Sequence, residues 1–369
     1  MTSSGVKSEP REFLSGKLAQ VDPGKIENEL RSLWKQVTNE DTGVVGDVTR
    51  AVSFTLVLFS HDQRTEDEMV GILDDIMAYH PCRAILTYYQ PDLPHALDAY
   101  VNARCHLLGD KRHVCSEQIT IVCNGGKPEE LASVVSPLVL ADLPVVLWWR
   151  SSNLSDPVLQ QLNKCARKVI FDSGYQPFDL SMIQQAGQLL HDNHDCLWLA
   201  DLNWRRLNGW RRSLAEAFDG FPMESEYLQT ISKVHITTRG DGKKHSAPSA
   251  NAVLLTGWLA SRLEWRDEFI RNVSFSTSPD NNTAALPGGI CGVTITFEDK
   301  RELKVELHKN DGSYLITACE ESKGTCESTR VAQYFQEGVL VGQELESMMR
   351  DHIFEQSLLK AGEITRIIK

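Results

Sequence analysis

The stretch Ala51-Val-Ser-Phe-Thr-Leu-Val-Leu-Phe59 decides the fold, because a helical pattern and a second apolar run follow it closely. Its β-branched and aromatic residues predict a buried strand. Residues 65–79 predict a helix, since one of its faces carries Met69, Ile72, Leu73 and Ile76. Residues 84–89 then resume strand character. A strand, a helix and a second strand in this order are typical of a parallel sheet.

The same alternation continues along the chain. Further strands are predicted at residues 117–123, 144–149, 168–171 and 196–199, and helices at residues 128–140, 157–164, 178–190 and 204–218. A helix at residues 26–37 is expected to dock on this core, whereas residues 1–24 are rich in Ser, Lys, Glu and Gly and are expected to be flexible. The pattern predicts an α/β domain over residues 25–220, with an open, mainly parallel sheet covered on both faces.

A different pattern begins after Gly220-Phe-Pro222. Strands are predicted at residues 234–238, 291–297, 302–308 and 313–318, and Ser249 can cap a helix that runs to residue 263. Asn310-Asp-Gly312 suits a hairpin turn, so the last three strands should form an antiparallel meander. A helical region at residues 331–359 could cover one face of it. Residues 221–369 are therefore predicted to form a smaller α+β domain.

Length and charge exclude several classes of protein. The 369 residues exceed the roughly 250–300 at which single cores stop growing, which favours two domains. A formal net charge of −12 counts against nucleic-acid binding. The sequence has no run of about 18 apolar residues, and its first residues lack the pattern of a signal peptide, so we expect a cytoplasmic protein without membrane function. Nine scattered cysteines suggest mostly reduced thiols.

The segment Asp201-Leu-Asn-Trp-Arg-Arg-Leu-Asn-Gly-Trp-Arg-Arg212 is dense in tryptophan and arginine, and we call it the Trp/Arg segment. Asp201 or Asn203 can cap the helix that follows. One interpretation is an amphipathic helix with Trp204 in the core and solvated arginines. The other is an anion-binding or protein-binding surface, because Trp and Arg are enriched at binding hot spots. The candidate binding residues are Asn203, Trp204, Arg205, Arg206, Trp210, Arg211 and Arg212.

A second candidate site ends the predicted strand Leu143-Pro-Val-Val-Leu-Trp-Trp-Arg-Ser151. Open α/β sheets bind ligands at the carboxyl ends of their strands, where Trp148, Trp149 and Arg150 are expected. The alternative is that both tryptophans pack in the core. Arg83 could join the same rim, but it begins a strand and could equally lie at the opposite end of the sheet.

Sequence signatures of catalysis and of cofactor or metal binding are missing. The chain has no GxGxxG, GxxxxGK[ST] or GxSxG motif, so we expect no enzymatic activity and no cofactor. His191 with His194, and Cys105-His106 with His113 and Cys115, supply metal-ligand types without a recognised spacing. We interpret both groups as polar loops, and we expect no metal.

Four segments resemble the OpcA family of glucose-6-phosphate dehydrogenase assembly proteins, along about residues 51–218 and more loosely beyond: the Trp/Arg segment, the strand at residues 143–151, His80-Pro-Cys-Arg-Ala84 and Glu117-Gln-Ile-Thr-Ile121. The resemblance implies a noncatalytic assembly factor and allosteric activator that binds glucose-6-phosphate dehydrogenase and promotes its active oligomer in the oxidative pentose phosphate pathway. The Trp/Arg candidates would then contact the enzyme. Two alternatives are a sugar-phosphate-binding enzyme with arginines as the phosphate clamp, and a metabolite-sensing module without a protein partner.

Cys319 and Cys326 flank a short segment that contains Gly324. Closing so short a loop costs little chain entropy, so a reversible disulfide is one interpretation. The other is a pair of unrelated thiols. The resemblance adds weight to the first, because it implies thioredoxin-dependent control in cyanobacterial relatives. We therefore take both cysteines as redox candidates.

Overall fold

The computed structural model describes residues 13–15, 19–38, 47–62, 66–108, 112–193, 196–219, 227–279, 285–310, 313–320, 325–332 and 335–368. Its contacts divide the chain into two compact units. The first unit contains Met1–Ser151, Ser155–Ile170 and Val341–Met348, and the second contains Ser152–Leu154, Phe171–Leu340 and Met349–Lys369. The domain boundary after residue 220 stays a prediction.

The first unit alternates strands and helices along most of its length. In chain order the elements are β1 (Phe13–Ser15), β2 (Ala19–Val21), α1 (Ile26–Thr38), β3 (Asp47–Arg50), β4 (Thr55–Ser60), α2 (Glu66–Tyr79), β5 (Arg83–Gln90), β6 (Ala96–Leu108), β7 (Arg112–Asn124), α3 (Pro128–Val135), β8 (Val145–Arg150), α4 (Pro157–Leu162) and β9 (Lys168–Phe171). The predicted unit of strand, helix and strand is the central piece, β4–α2–β5.

The sheet of the first unit is mainly parallel. The order β7-β5-β4-β8-β9 is parallel throughout, with Leu58 of β4 opposite both Leu86 and Trp148. Every residue of β4 is buried, as expected of a parallel strand covered on both faces. β6 adds antiparallel to β7. The predicted α/β class is therefore confirmed. β1 and β2 pair with β6, in a segment for which the sequence predicts flexibility.

A buried ion pair lies at the amino ends of the parallel strands. Arg83 begins β5 and donates from Nε to Glu117 Oε2 at 2.7 Å and from Nη1 to the Leu138 carbonyl at 2.8 Å. Trp34 of α1 donates from Nε1 to Glu117 Oε1 at 2.6 Å. These hydrogen bonds offset the cost of burying the charges of Arg83 and Glu117. Replacing either residue with an uncharged one would leave the other charge buried without a partner. Arg83 therefore lies at the edge opposite Trp148, Trp149 and Arg150.

The second unit combines helices with a smaller sheet. Its elements are α5 (Ser181–Asp192), β10 (Trp198–Asp201), α6 (Leu202–Arg206), α7 (Asn208–Asp219), β11 (Ile231–Arg239), α8 (Ala250–Arg262), α9 (Asp267–Ile270), β12 (Val273–Ser278), β13 (Ile290–Phe297), β14 (Glu302–Asn310), β15 (Ser313–Glu320), β16 (Thr325–Val331) and α11 (His352–Ile367). The helix α10 (Glu337–Glu346) contains the change of unit at Leu340.

The strand order of the smaller sheet is β12-β11-β13-β14-β15-β16. β12 and β11 are parallel, and all other neighbours are antiparallel, so the predicted meander β13–β14–β15 is confirmed and β16 extends it. Val293, Val305 and Ala318 follow one another across these strands on the buried face. The predicted turn residues Asp311 and Gly312 lie outside the described residues.

Helices pack on this sheet and on each other. Ser249 caps α8 as predicted, accepting a hydrogen bond from the Ala252 amide at 3.2 Å. A Cβ at Gly257 would lie only 2.4 Å from the Ser357 carbonyl oxygen, so glycine allows α8 and α11 to approach closely. The prediction of a helical cover from residue 331 was wrong in detail: Val331 ends β16, α7 contacts β14, β15 and β16, and α11 packs on α8.

None of the helices in the described part of the chain is both long enough and apolar enough to cross a membrane.

Candidate functional site

The Trp/Arg segment forms two short helices where the sequence predicts one. Asp201 ends β10 and caps α6 by accepting a hydrogen bond from the Asn203 amide at 2.9 Å. Leu207 ends α6, and α7 begins at Asn208. The break at Leu207 gives the arginines of α6 and those of α7 different surroundings.

Asp201 holds the start of α6 to the loop that follows β9. Its carboxylate accepts hydrogen bonds from the Ser173 amide at 3.0 Å and the Ser173 hydroxyl at 2.6 Å. The Asn203 Nδ2 donates to the same hydroxyl at 3.0 Å. Burial and the nearby negative charge of Asp172 together raise the pKa of Asp201 to about 7, although the hydrogen bonds from Ser173 and Asn203 oppose the shift. This carboxyl therefore titrates near neutral pH.

Arg206 forms an ion pair with the carboxylate of Asp172. Its Nη1 and Nη2 donate to the two carboxylate oxygens of Asp172 at 2.6 and 2.7 Å, in the bidentate geometry that suits the guanidinium fork. The Gly174 amide donates to Asp172 Oδ1 at 2.9 Å. These contacts hold the Asp172–Gly174 turn against α6 and offset most of the charge of Arg206.

Trp204 is a core residue of the second unit, with 3% of its surface exposed. Its Nε1 donates to Asp351 Oδ2 at 3.1 Å, and its ring lies 5.6 Å from that of Phe354. Arg211 stacks on the indole of Trp204, with Cζ 3.5 Å from the ring centroid. Burial lowers the pKa of Arg211 to about 10. Trp204 and Arg211 thus tie α6 and α7 to the start of α11.

The exposed part of the segment is narrow. Asn203 and Trp210 are buried, Arg205 is half-buried and Arg212 is exposed. Asn208, the first residue of α7, is also exposed. Arg205 and Arg212, which we call the basic edge, therefore keep exposed surface that a partner can contact without rearrangement.

The second candidate cluster ends β8 in the first unit. Trp148 and Trp149 are each 1% exposed, and Trp149 stacks on Phe59 with ring centroids 4.0 Å apart. Arg150 is half-buried, and its Nη2 donates to Glu68 Oε1 at 3.0 Å. The tryptophans pack in the core, and Arg150 keeps exposed atoms. The two clusters belong to different units, and a partner-binding role for either stays a prediction.

Sequence reasoning missed His61 and Asp156 at the carboxyl edge of the parallel strands. His61 follows β4, and its Nε2 lies 2.9 Å from Asp156 Oδ2 while its Nδ1 lies 2.9 Å from the Tyr89 carbonyl oxygen. The hydrogen bond to Asp156 raises the pKa of His61, although burial opposes the shift. Both ring neighbours are acceptors, so they favour the imidazolium. The position of His61 directly after a predicted strand was the available signal.

Cys105 and Cys115 differ from the prediction made from the sequence. Cys105 and Cys115 lie opposite each other on β6 and β7 and form a disulfide, with Cα atoms 4.0 Å apart. The interpretation of Cys105, His106, His113 and Cys115 as polar loops was wrong, because long-range pairing makes both segments strands. Cys319 is also disulfide-bonded, and the residue opposite it across β15 and β16 is Cys326. A redox function for this pair stays a prediction.

Comparison with known proteins identifies the family. The model of the glucose-6-phosphate dehydrogenase subunit N-terminal domain matches residues 73–188, and that of the C-terminal domain matches residues 198–358. Both models carry the OpcA name.

Three cyanobacterial relatives share the name "Putative OxPP cycle protein OpcA". The relative from Synechococcus elongatus is 26% identical over 79% of this chain and 70% of its own length. That from Nostoc punctiforme is 27% identical over 78% of this chain and 66% of its own length. That from Synechocystis is 31% identical over 57% of this chain and 42% of its own length.

Solved structures give weaker likenesses. A glucose-6-phosphate dehydrogenase in complex with its substrate glucose-6-phosphate aligns with a TM-score of 0.42 at 8% identity, covering 86% of this chain and 92% of that chain. The glucose-6-phosphate 1-dehydrogenase from Mycobacterium avium gives 0.39 at 10% identity, covering 85% and 90%. Scores of this size do not establish a shared fold. The two matched domain models, which together cover most of the sequence, show that the chain belongs to the OpcA family.

Proposed function

We propose that this protein is a noncatalytic assembly factor and allosteric activator that binds glucose-6-phosphate dehydrogenase and promotes its active oligomer. The observation that carries the proposal is the pair of family matches, both described as domains of a glucose-6-phosphate dehydrogenase subunit. The name of the cyanobacterial relatives supports a place in the oxidative pentose phosphate pathway. The missing nucleotide-binding motifs support a role without chemistry of its own.

The proposed contact is the basic edge formed by Arg205 and Arg212. Arg212 is exposed, and Arg205 keeps part of its surface accessible. The buried members of the segment would act indirectly, because Trp204 and Arg206 fix the helices on which the edge lies. Guanidinium groups pair well with carboxylates, so we expect an acidic patch on the dehydrogenase.

Activation requires a difference in affinity. A protein that binds the competent oligomer and the incompetent form equally well shifts nothing, however tightly it binds. Each tenfold preference for the competent form corresponds to about 1.4 kcal/mol. The basic edge is the proposed source of this preference.

The proposal is tested by mixing the purified chain with its cognate dehydrogenase and measuring molar masses by size-exclusion chromatography with light scattering. We expect one stoichiometric complex and a shift of the enzyme toward its larger oligomer. The chain alone should not reduce NAD⁺ or NADP⁺ with glucose 6-phosphate, whereas a sugar-phosphate dehydrogenase would. Separate elution and an unchanged oligomer distribution would overturn the proposal.

A further inference from the structure

The strand β12 (Val273–Ser278) forms one edge of the smaller sheet. It pairs in parallel with β11 over its whole length and without a register shift. His235 of β11 holds it there, because its Nδ1 lies 2.8 Å from the Ser274 hydroxyl and its Nε2 lies 2.9 Å from the Ser276 hydroxyl. No strand in the described part of the chain pairs with the other side of β12. β12 is therefore a regular, fixed strand with a free edge.

Backbone hydrogen bonds show which residues of β12 point toward β11. The Val234 amide donates to the Asn272 carbonyl at 3.3 Å, and the Gly240 amide donates to the Ser278 carbonyl at 3.1 Å. The N–H and C=O groups of one strand residue point to the same side, and successive residues alternate between the two sides. The even-numbered residues of β12 therefore direct their backbone groups toward β11.

The odd-numbered residues of β12, which are Val273, Phe275 and Thr277, direct their N–H and C=O groups away from β11. These groups have no backbone partner within the described ranges. Thr277 is exposed, and Phe275 is half-buried. The free edge therefore reaches the surface and presents unused donors and acceptors at every second residue.

β12 lacks the features by which folded proteins protect a free edge. Such edges usually carry charged residues, proline or a bulge that keeps other strands from pairing with them. The sequence of β12 contains no charged residue and no proline, and its pairing with β11 has no bulge. The opposite edge strand, β16, contacts α7 and carries Arg330, whose Nε donates to Glu216 of α7 at 2.9 Å. Of these two edge strands, β12 is the one open to another strand.

The outward backbone groups of β12 are complementary to those of a second copy of the chain. In an antiparallel pair of strands, opposite residues exchange two hydrogen bonds at every second position. The three outward residues are spaced evenly about Phe275. Two β12 strands related by a twofold axis therefore place Phe275 opposite Phe275 and Val273 opposite Thr277, with all outward groups bonded. A different protein would need a free edge of its own with this spacing, whereas a second copy has it by symmetry.

The side chains of β12 favour the same arrangement. Because the strand is uncharged, two copies meet without repulsion between like charges. Phe275 lies opposite Ile236 on the buried face of the sheet, so two Phe275 rings across the twofold axis would cover each other's exposed surface. Pro279 follows β12 and has no amide hydrogen, which ends the ladder.

We propose that β12 pairs antiparallel with β12 of a second copy of this chain and joins the two smaller sheets into one. The interface goes beyond the proposed function, and its test does not need the dehydrogenase.

The first test is sedimentation velocity on the full chain over a wide range of concentrations. An interface of one strand from each copy is small, so we expect a monomer–dimer equilibrium with a dissociation constant on the order of 10 μM. Phe275 lies opposite itself in the dimer. Phe275→Lys and Phe275→Glu should therefore each raise the dissociation constant at least about tenfold when measured alone, and an equal mixture of the two variants should form a heterodimer.

Two further variants separate dimerisation from folding and from net charge. Leu93→Lys adds the same charge at a large apolar residue that is 46% exposed in the first unit, and it should dimerise like the parent. Thr277→Pro removes an outward N–H but no hydrogen bond to β11, so it should weaken the dimer even if the charged variants fail to fold. Thermal unfolding shows which variants fold.

Hydrogen exchange resolved by residue tests the pairing itself. The amides of Phe275 and Thr277 should exchange more slowly above the dissociation constant than below it, whereas those of Ser274 and Ser276 should be protected at both concentrations. The inference is overturned if the parent stays monomeric, if folded Phe275→Lys or Thr277→Pro protein dimerises like the parent, or if folded Lys and Glu variants form no heterodimer. Protection of Phe275 and Thr277 that does not depend on concentration would overturn it as well.

Discussion

The two Trp/Arg clusters have similar composition and different structures. At the end of β8, Trp149 stacks on Phe59, and Arg150 pairs with a carboxylate that is more than half exposed. In the Trp/Arg segment, Arg211 stacks on Trp204 and Arg206 forms a bidentate pair with Asp172. A high density of tryptophan and arginine therefore does not by itself predict a binding surface. In the Trp/Arg segment, Trp204 and Arg211 stabilise the joint between α6 and α7, and Arg206 holds α6 to the Asp172–Gly174 turn.

The largest expected loss of stability follows substitution of the buried tryptophans. Trp204→Ala and Trp149→Ala should each lower the free energy of unfolding by about 3–5 kcal/mol, because both side chains are buried. Trp204→Phe keeps much of the packing but loses the hydrogen bond to Asp351, so it should cost about 1 kcal/mol from that bond. Urea unfolding measures all three. A loss below about 1 kcal/mol for Trp204→Ala would contradict a core role.

Arginine substitutions should lower stability by different amounts in the two clusters. Arg206→Met should lower the free energy of unfolding by about 2–3 kcal/mol, because it leaves the Asp172 carboxylate unpaired beside Asp201. The loss should be smaller than for a fully buried pair, since both side chains keep some exposed surface. Arg150→Met should cost less, because the carboxylate that it leaves unpaired, Glu68, is 56% exposed and can be solvated, whereas Asp172 is 15% exposed. Adding Asp172→Asn to Arg206→Met should recover part of the loss in a double-mutant cycle. Equal losses of unfolding free energy for Arg206→Met and Arg150→Met would contradict the proposed difference between the two ion pairs.

The free energy of unfolding should depend on pH through Asp201 of the Trp/Arg segment. The pKa of Asp201 rises from 3.8 to about 7 on folding, so the folded state holds a proton that the unfolded state releases between these values. Stability from this group is present below pH 3.8 and is lost as pH rises toward 7. Asp201→Asn should remove that slope. The control Asp22→Asn affects an exposed carboxyl whose pKa the Gly24 amide lowers, so any effect should have the opposite sign.

The smallest effect on stability is expected at the basic edge. Replacing Arg205 and Arg212 together with Glu should change the free energy of unfolding by less than about 1 kcal/mol, because exposed charges contribute little to folding. The same variant should weaken the complex with the dehydrogenase strongly. Lys243→Glu with Lys244→Glu makes an equal change of charge at exposed positions elsewhere in the second unit. If both double variants bind alike, net charge rather than this edge explains any loss.

Local patterns predicted the elements whose signals are local. The strands β4, β5 and β8 are apolar runs, and the Ser249 cap sits directly before its helix. The pattern predicted residues 117–123 of β7 but missed β6 and the start of β7, where polar residues such as Asn102 and Arg104 interrupt the apolar signal and pairing between strands supplies the order.

The candidate site depends on partners far apart in sequence. Arg206 and Asp172 are separated by 34 positions, and Trp204 and Asp351 by 147. Composition therefore indicated an unusual segment and its cap, but not which of its arginines are neutralised or stacked. That distinction needs the tertiary contacts.

The most direct test is an activity titration of the cognate glucose-6-phosphate dehydrogenase at a fixed, limiting glucose 6-phosphate concentration. Increasing amounts of the purified chain should raise the rate to a plateau, with the half-maximal point set by the affinity of the complex. The Arg205→Glu, Arg212→Glu variant should shift that point to higher concentration, while the lysine control should not. A rate that stays constant up to saturating chain, under conditions where the complex is seen to form, would contradict the account.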